Sequence, residues 1–383
     1  MRYKINIYNL LTYMLIFAII KPYFLPEAIR QITKITILII IFFFVISKSE
    51  KKNIFNISLI LCVSVLVSAF YAGLKGNYGT KDFLDSLLYI LAFYNIYTFM
   101  GMCYYKGRFN ETIKCMFNLI LVYCILTVCS VMQVGIVNNS NQAAYVFGNK
   151  FTSSYLFILL LTLYGATHDM KKYKNKIKYY ILFIFSILFT LHLDCATATV
   201  TLVILFAMDF IPMKAKNVLL KPTVVVIVLI LSALIVTSIG QILKIDFVNQ
   251  IVSGYFNKSY TVTGRLEIYT VYLGRVIMGS FWLGYGYSNS FMQTLTGVYA
   301  NAQNGLLEIF VNFGFIGTLS VLVTVFYCYK KGERNSKTFY LSLVVYGMII
   351  AAIFEISLNW FFLLGLCLIR WNISWDDKRI CIH

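Results

Sequence analysis

The chain has 383 residues, of which 60% are hydrophobic and 13% are charged, and its formal net charge is +18. Soluble domains contain about 45–50% apolar and about 25% charged residues, so this composition excludes an ordinary soluble protein. Apolar runs recur along the chain, and roughly 20 such residues suffice to cross a hydrocarbon core of about 30 Å as a helix. The sequence therefore predicts an all-α, polytopic membrane protein.

Twelve apolar segments predict about twelve transmembrane helices, or ten to twelve if the closely joined pairs are re-entrant. The segments are 7–24, 33–47, 54–74, 83–103, 114–134, 151–168, 177–193, 195–212, 222–243, 303–329, 338–354 and 357–371. The first segment lacks a small-residue cleavage site, so we expect no cleaved signal peptide.

The distribution of basic residues predicts the topology. With the N-terminus in the cytoplasm, 23 lysines and arginines lie in inside segments and 10 lie outside. Cytoplasmic loops carry such an excess, so we expect both termini to be cytoplasmic. This arrangement divides the chain into membrane helices over 1–243, an extracytoplasmic loop over 244–302, and further helices with a cytoplasmic tail over 303–383. The charge thus reports topology and attraction to anionic lipid, and we expect no nucleic-acid partner.

Nine cysteines are present, mostly within apolar segments, and none forms a CxxC pair. This pattern favours neither a disulfide framework nor a zinc site. No DxD motif lies in an outer segment, and no cluster of histidines and carboxylates has the spacing of metal ligands.

The predicted loop helix carries two arginines, ten residues apart. Apolar residues recur at helical spacing from Gly264 to Met278, and Thr263 is a candidate N-cap, so the stretch predicts an amphipathic helix. Arg265 and Arg275 lie on it, and the guanidinium fork of arginine binds phosphate oxygens bidentately. The alternative is an interfacial arginine whose charged end reaches water. The sequence leaves both interpretations open.

A glycine-marked turn, Trp282–Tyr287, follows this helix and contains Tyr285. Its aromatic rings are candidates for stacking on a sugar. The alternative is the aromatic belt that membrane proteins place at the lipid–water interface.

The polar run Asn301–Gly305 opens the tenth segment, and Glu308 lies one turn inside it on the same helical face as Asn304. A carboxylate near the membrane requires a polar cavity or a partner, so Glu308 is interpreted as functional. By the same argument Glu355, at the turn between the last two segments, is also interpreted as functional. Asn304 is either a helix cap or a ligand for substrate.

Six short motifs follow one another along the chain. They are Phe147-Gly148-Asn149-Lys150, Gly264-Arg265, Gly284-Tyr285-Gly286, Asn304-Gly305-Leu306-Leu307-Glu308, Gly314-Phe315-Ile316-Gly317 and Glu355. In this order and topology they resemble the bacterial family of Wzy-type O-antigen polymerases and O-antigen ligases. Two positions depart from the family pattern. Gln303 stands where histidine is usual, and Cys195-Ala196-Thr197 stands where many members have an arginine. The first departure favours a polymerase over a ligase.

The resemblance implies a GT-C-like membrane fold with one large extracytoplasmic loop that contains short helices. It also implies a glycosyltransferase, a polysaccharide polymerase acting on undecaprenyl-pyrophosphate-linked oligosaccharide repeat units at the outer face of the bacterial cytoplasmic membrane. The product would be a capsular, O-antigen or exopolysaccharide chain. Membrane lipid, a chain-length regulator and a flippase are the implied partners, and neither a metal nor another cofactor is implied.

The same resemblance suggests roles for individual residues. Arg265 and Arg275 would neutralise the pyrophosphate, and Glu308 or Glu267 would accept the acceptor proton or hold an arginine in place. The implied substrate-binding residues are Asn304, Gln303, Asn301, Lys150, Asn149, Tyr285 and Glu355.

Three alternatives remain. An O-antigen ligase or another lipid-linked-glycan transferase would share these features. A lipid-linked oligosaccharide flippase would be expected to have an internal repeat and charges deep within several segments, and the sequence shows neither. A receptor or scaffold would leave the loop arginines without a ligand.

Overall fold

The computed structural model describes residues 6–54, 56–76, 79–137, 144–237 and 267–372, which form helices joined by turns and loops. Within these residues the α-helices are α1 Ile7–Ile19, α2 Glu27–Lys48, α3 Lys51–Ile54, α4 Ser58–Leu74, α5 Thr80–Tyr105, α6 Phe109–Val134, α7 Lys150–Thr167, α8 Tyr173–His192, α9 Ala196–Phe210, α10 Met213–Leu219, α11 Pro222–Thr237, α12 Leu273–Gly279, α13 Phe291–Thr296, α14 Gly305–Lys331, α15 Ser336–Ala351 and α16 Trp360–Trp371. A π-helix, Ile268–Tyr272, leads directly into α12.

The predicted all-α, multi-pass architecture is confirmed, and each of the twelve predicted segments contains a helix. By length and hydropathy, four described helices suffice to cross a membrane, namely α2, α5, α6 and α14. The pair formed by α10 and α11, bent by 68°, makes a fifth if it is one broken span. Twelve spans and a GT-C-like fold therefore stay predictions.

The helices differ in how they are buried. Helices α5, α7, α15 and α16 bury most of their side chains and form the centre of the bundle. The surrounding helices expose large apolar side chains, among them Phe43, Ile125, Ile181, Leu188 and Ile227. An apolar outer surface of this kind suits contact with lipid tails, where apolar side chains need no burial.

Helix α14 is broken at Gly314, whose backbone is left-handed with φ 63° and ψ −165°. The break frees main-chain groups on both sides of it. The carbonyl groups of Val311 and Asn312 accept hydrogen bonds from Tyr285 N and Gly286 N at 2.9 and 2.8 Å. Beyond the break, Phe315 N donates to Phe281 O at 2.8 Å. The segment 281–286 thus satisfies the main-chain groups that a continuous helix would have paired within itself.

This docking requires glycine on both sides. A Cβ atom on Gly284 would lie 2.6 Å from the carbonyl carbon of Asn312, and one on Gly314 would lie 2.5 Å from Leu283 N. The Gly284–Gly286 and Gly314 motifs therefore bring the two backbones into contact. The amphipathic stretch packs beside them, with Ile268 and Val276 buried.

Candidate functional site

The predicted polar residues gather at one end of the bundle, which we call the loop end. It contains residues 267–304 and the first turns of α5, α7, α14 and α16. Charge distribution predicts that this end is extracytoplasmic, and that orientation stays a prediction.

Asn304 is fully buried at the loop end and caps α14. Its Oδ1 accepts hydrogen bonds from Leu306 N at 3.1 Å and from Leu307 N at 3.0 Å. Its Nδ2 donates to the carbonyl oxygen of Ser232, on α11, at 3.1 Å. The side chain therefore ties the start of α14 to a neighbouring helix.

Glu308 is half-buried and faces back toward the turn before its helix. Its Oε2 accepts a hydrogen bond from Ala302 N at 2.8 Å, and the Asn312 side chain also interacts with the carboxylate. Asn289 donates in turn to Asn312 Oδ1 at 2.7 Å. A polar chain thus runs from Glu308 to the segment that follows the glycine-marked turn.

Asn301 and Gln303 belong to the turn that immediately precedes α14. Asn301 Oδ1 accepts hydrogen bonds from Gln303 N at 3.0 Å and Gln303 Nε2 at 2.8 Å. Gln303 has a left-handed backbone, with φ 53°, which costs free energy for a residue with a Cβ atom. Tyr269 donates to the Gln303 carbonyl oxygen at 2.9 Å, so the π-helix holds this strained turn.

Arg275, within α12, and Glu267, just before the π-helix, are exposed. Neither forms an ion pair within 4.0 Å with another described residue. Tyr299 donates to the Glu267 carboxylate at 2.8 Å, and this hydrogen bond raises the pKa of Tyr299. Arg265 and the predicted N-cap Thr263 lie outside the described residues.

Tyr285 is half-buried and packs inside the loop. Its ring stacks on Phe291 with 3.8 Å between centroids, and its hydroxyl donates to Val276 O at 2.9 Å. The ring therefore joins the glycine-marked turn to α12 and α13.

Lys150 and Asn149 occupy the first turn of α7. The buried Lys150 Nζ donates to the Asp194 carbonyl oxygen at 3.0 Å and lies 3.7 Å from the Asp194 carboxylate. Asn149 caps the helix by accepting from Thr152 N at 3.0 Å. Glu355 and Lys150 both lie within electrostatic range of Cys195.

A cavity of about 280 Å³ opens at the loop end. Its lining residues come from the end of α1 and the connection to α2, from α2 and α5, from α7 and the residues before it, from the end of the glycine-marked turn, and from the start of α16: Ile19, Ile20, Lys21, Tyr23, Lys34, Asp85, Phe147, Thr152, Tyr287, Ser288, Asn359, Trp360 and Phe361. None of the predicted site residues in the described part of the chain lines it, although Asn149 binds Thr152, which does.

The cavity contains charged residues that the sequence analysis did not select. These residues are Lys21, Lys34 and Asp85, and the two lysines are among the ten basic residues that the topology places outside. Basic residues on the outer side, combined with a carboxylate near the start of an apolar helix, are the signals that could have identified them.

Comparison with known proteins supports the resemblance to O-antigen ligases and polymerases. Residues 179–322 match a family model described as O-antigen ligase, which confirms the family predicted from the motifs. The matched segment extends from α8 to the middle of α14 and includes the glycine-marked turn, Asn304 and Glu308. No match was found among curated proteins or among solved structures. The match thus identifies an O-antigen ligase domain within the chain.

Proposed function

We propose that the protein is a glycosyltransferase that polymerises undecaprenyl-pyrophosphate-linked oligosaccharide repeat units at the outer face of the bacterial cytoplasmic membrane. The observation that carries the proposal is the O-antigen ligase family match over residues 179–322, which ends within the broken helix α14. Glutamine at position 303, in place of the histidine usual in the family, favours a polymerase over a ligase.

In the proposed reaction, an acceptor sugar hydroxyl attacks the anomeric carbon of the donor glycan. The bond from that carbon to the phosphate oxygen breaks, undecaprenyl pyrophosphate leaves, and the hydroxyl proton passes to a base. Because pyrophosphate is already a good leaving group, the protein needs mainly to neutralise its charge and orient the acceptor. By family analogy we expect a single displacement with inversion at the anomeric carbon.

The exposure of Arg275, together with its lack of an ion-pair partner among the described residues, leaves its guanidinium available to a phosphate. We assign Arg275 and Arg265 to the leaving pyrophosphate. Glu308 or Glu267 would accept the proton, while Gln303 and Asn301 would orient sugar hydroxyls. Capsule, O-antigen and exopolysaccharide are the candidate products, and a chain-length regulator and a flippase are the proposed partners.

The proposal is tested on purified protein in nanodiscs, supplied with a synthetic undecaprenyl-pyrophosphate repeat unit and analysed by product size. We expect a ladder of multiples, and we expect Arg275→Lys and Arg265→Lys each to reduce its rate by at least about tenfold, because lysine cannot bind phosphate bidentately. Arg108→Lys is the matched control, since Arg108 pairs with Glu111 on the exposed surface of α6.

Other outcomes would redirect the proposal. A single transfer to an added acceptor without a ladder would identify a ligase. Movement of the lipid-linked unit across a vesicle bilayer without transfer would identify a flippase. Normal ladders from both arginine variants would remove the arginines from the site.

Glu308→Gln separates a chemical role from a positioning role. Glutamine keeps an oxygen that can accept from Ala302 N, whereas it cannot take up a proton at neutral pH. If Glu308 is the base, the ladder rate should fall by about 10²–10⁴-fold with unchanged thermal stability. A rate within a few-fold of the wild type would contradict that role, and Glu267→Gln is then the variant to measure.

A further inference from the structure

The cavity at the loop end has the size and lining of a site for a compact anion. Its volume of about 280 Å³ lies just below the range of about 300–1,000 Å³ typical of pockets that enclose a whole ligand. It is therefore suited to a headgroup, with the rest of a larger molecule lying outside.

Two lysines make one part of this cavity electropositive. Lys34 Nζ lies 5.8 Å from the centroid of the Trp360 ring, and Lys21 lies within electrostatic range of Lys34. Asp85 lies near both lysines, but neither forms an ion pair within 4.0 Å with a described residue. The two lysines and one carboxylate leave a net positive charge in a partly enclosed space.

A second basic residue besides Lys34 lies near Lys21. Arg30 lies within electrostatic range of Lys21 and adds positive charge, against the negative charges of Asp85 and Glu27. Like charges that are held together and partly removed from water favour the arrival of an anion.

Aromatic rings hold the other wall in place. Tyr89 contacts Tyr287 at 4.6 Å and Trp360 at 4.8 Å between ring centroids, and Tyr287 also stacks on Phe313 of α14. The hydrogen bond from Gly286 N to Asn312 O fixes the backbone just before Tyr287. The cavity is thus built on the broken helix that the family segment contains, although its lysines lie outside that segment.

We propose that Lys21 and Lys34 bind the diphosphate of a polyprenyl-linked substrate in this cavity. The inference rests on the proposed function and deepens it by adding a second candidate anion site. Arg275 does not line the cavity, so Arg275 and the two lysines are separate candidates for binding a phosphate. A reaction that joins two lipid-linked glycans brings two diphosphates to the protein, whereas transfer to a phosphate-free acceptor brings one.

The test measures binding of a fluorescent polyprenyl diphosphate without sugar to the full-length protein in nanodiscs of neutral lipid. We expect Lys21→Gln and Lys34→Gln each to raise Kd by about tenfold, the effect of losing one charge-assisted contact. Lys34→Arg should retain binding. Asp85→Asn should tighten binding by about threefold, because it removes a negative charge beside the anion.

The matched control is Lys75→Gln, since Lys75 follows α4, lies over the Tyr71 ring and does not line the cavity. It should bind like the wild type. The corresponding polyprenol, which has no phosphate, should show no dependence on either lysine. Competition by inorganic pyrophosphate distinguishes the source of the anion, and we expect it to be much weaker than competition by unlabelled polyprenyl diphosphate. Equal competition would overturn the assignment to a lipid-linked substrate.

The lysine site and the proposed polymerase can be contradicted separately, because binding and polymerisation are measured in different experiments. Wild-type affinity in a stably folded Lys21→Gln, Lys34→Gln double variant would overturn the lysine site, even if the protein makes a ladder. Lysine-dependent binding without any ladder would support the site and remove the proposed polymerase. Thermal unfolding of each variant shows whether a loss of binding reflects a loss of fold.

Discussion

Gly314→Ala is expected to destabilise the protein by about 2–6 kcal/mol and to abolish the glycan ladder. A residue with a Cβ atom at positive φ and extended ψ, a region essentially restricted to glycine, costs about 1–3 kcal/mol, and overpacking against a fixed neighbour costs about 1–3 kcal/mol more. Both costs apply, because Gly314 has φ 63° and its Cβ atom would lie 2.5 Å from the backbone nitrogen of Leu283. Relief of this clash would separate the glycine-marked turn from α14 and displace Tyr287. Stability is measured by SDS titration of the protein in mixed micelles.

Two glycines on the same loop separate these costs. Gly297 has φ 71° with open space around it, so Gly297→Ala should lose only the backbone cost of about 1–2 kcal/mol. Gly274 lies in α12 with nothing within 4 Å, so Gly274→Ala should be neutral or slightly stabilising. A Gly314→Ala variant as stable as Gly274→Ala would show that the docked backbone is not required.

The architecture was predictable because the individual apolar runs and the overall composition both indicated membrane helices. Uninterrupted apolar runs define α2, α6 and α14, and the helix rich in leucine, α7, was found although it is buried at the centre of the bundle. The number of membrane spans is a harder problem. Several helices are shorter than a bilayer needs, and α10 meets α11 at a bend of 68° that apolar composition does not signal.

The candidate site was only partly predictable, for a physical reason. The polar run at 301–305 and Glu308 are recognisable as candidate site residues in the sequence, because polar groups at the start of an apolar segment need partners. Sequence cannot say which partners these are. The structure shows that Asn304 and Tyr285 use their polar groups within the protein. Motif order identified the family, but the lysine cavity is assembled from α1, α2, α5 and α16, which are distant from the loop in the chain.

The break in α14 was predictable in part, less than the architecture and more than the cavity. Its glycines, Gly314 and Gly317, are small residues of the kind that allows two membrane helices to approach closely. The structure instead has a loop segment, 281–286, hydrogen bonded to the broken turn. A glycine pattern reports that a backbone approaches closely, but it does not report which backbone approaches.

Asn304→Ala is expected to destabilise the protein by about 2–4 kcal/mol, independently of any substrate. Loss of an N-cap costs about 1 kcal/mol, and a buried group left without its hydrogen bond costs about 1–3 kcal/mol. Asn304 makes both kinds of contact, since its Oδ1 caps α14 and its Nδ2 donates to Ser232 O. Asn335 caps α15 through Thr338 N at 2.8 Å, so Asn335→Ala is the control that loses a cap away from the loop end.

Asn304→Asp then separates the architectural role of Asn304 from a role in substrate binding. Aspartate keeps the cap oxygen but brings a carboxylate toward the Ser232 carbonyl oxygen, which the amide nitrogen had contacted. If the residue is architectural, Asn304→Asp should lose stability and ladder rate together, and added lipid-linked substrate should stabilise it as much as it stabilises the wild type. Normal stability with a raised KM would instead show that Asn304 contacts the substrate. The complete burial of the side chain favours the first result, because a sugar hydroxyl could reach the amide only after α11 and α14 had separated.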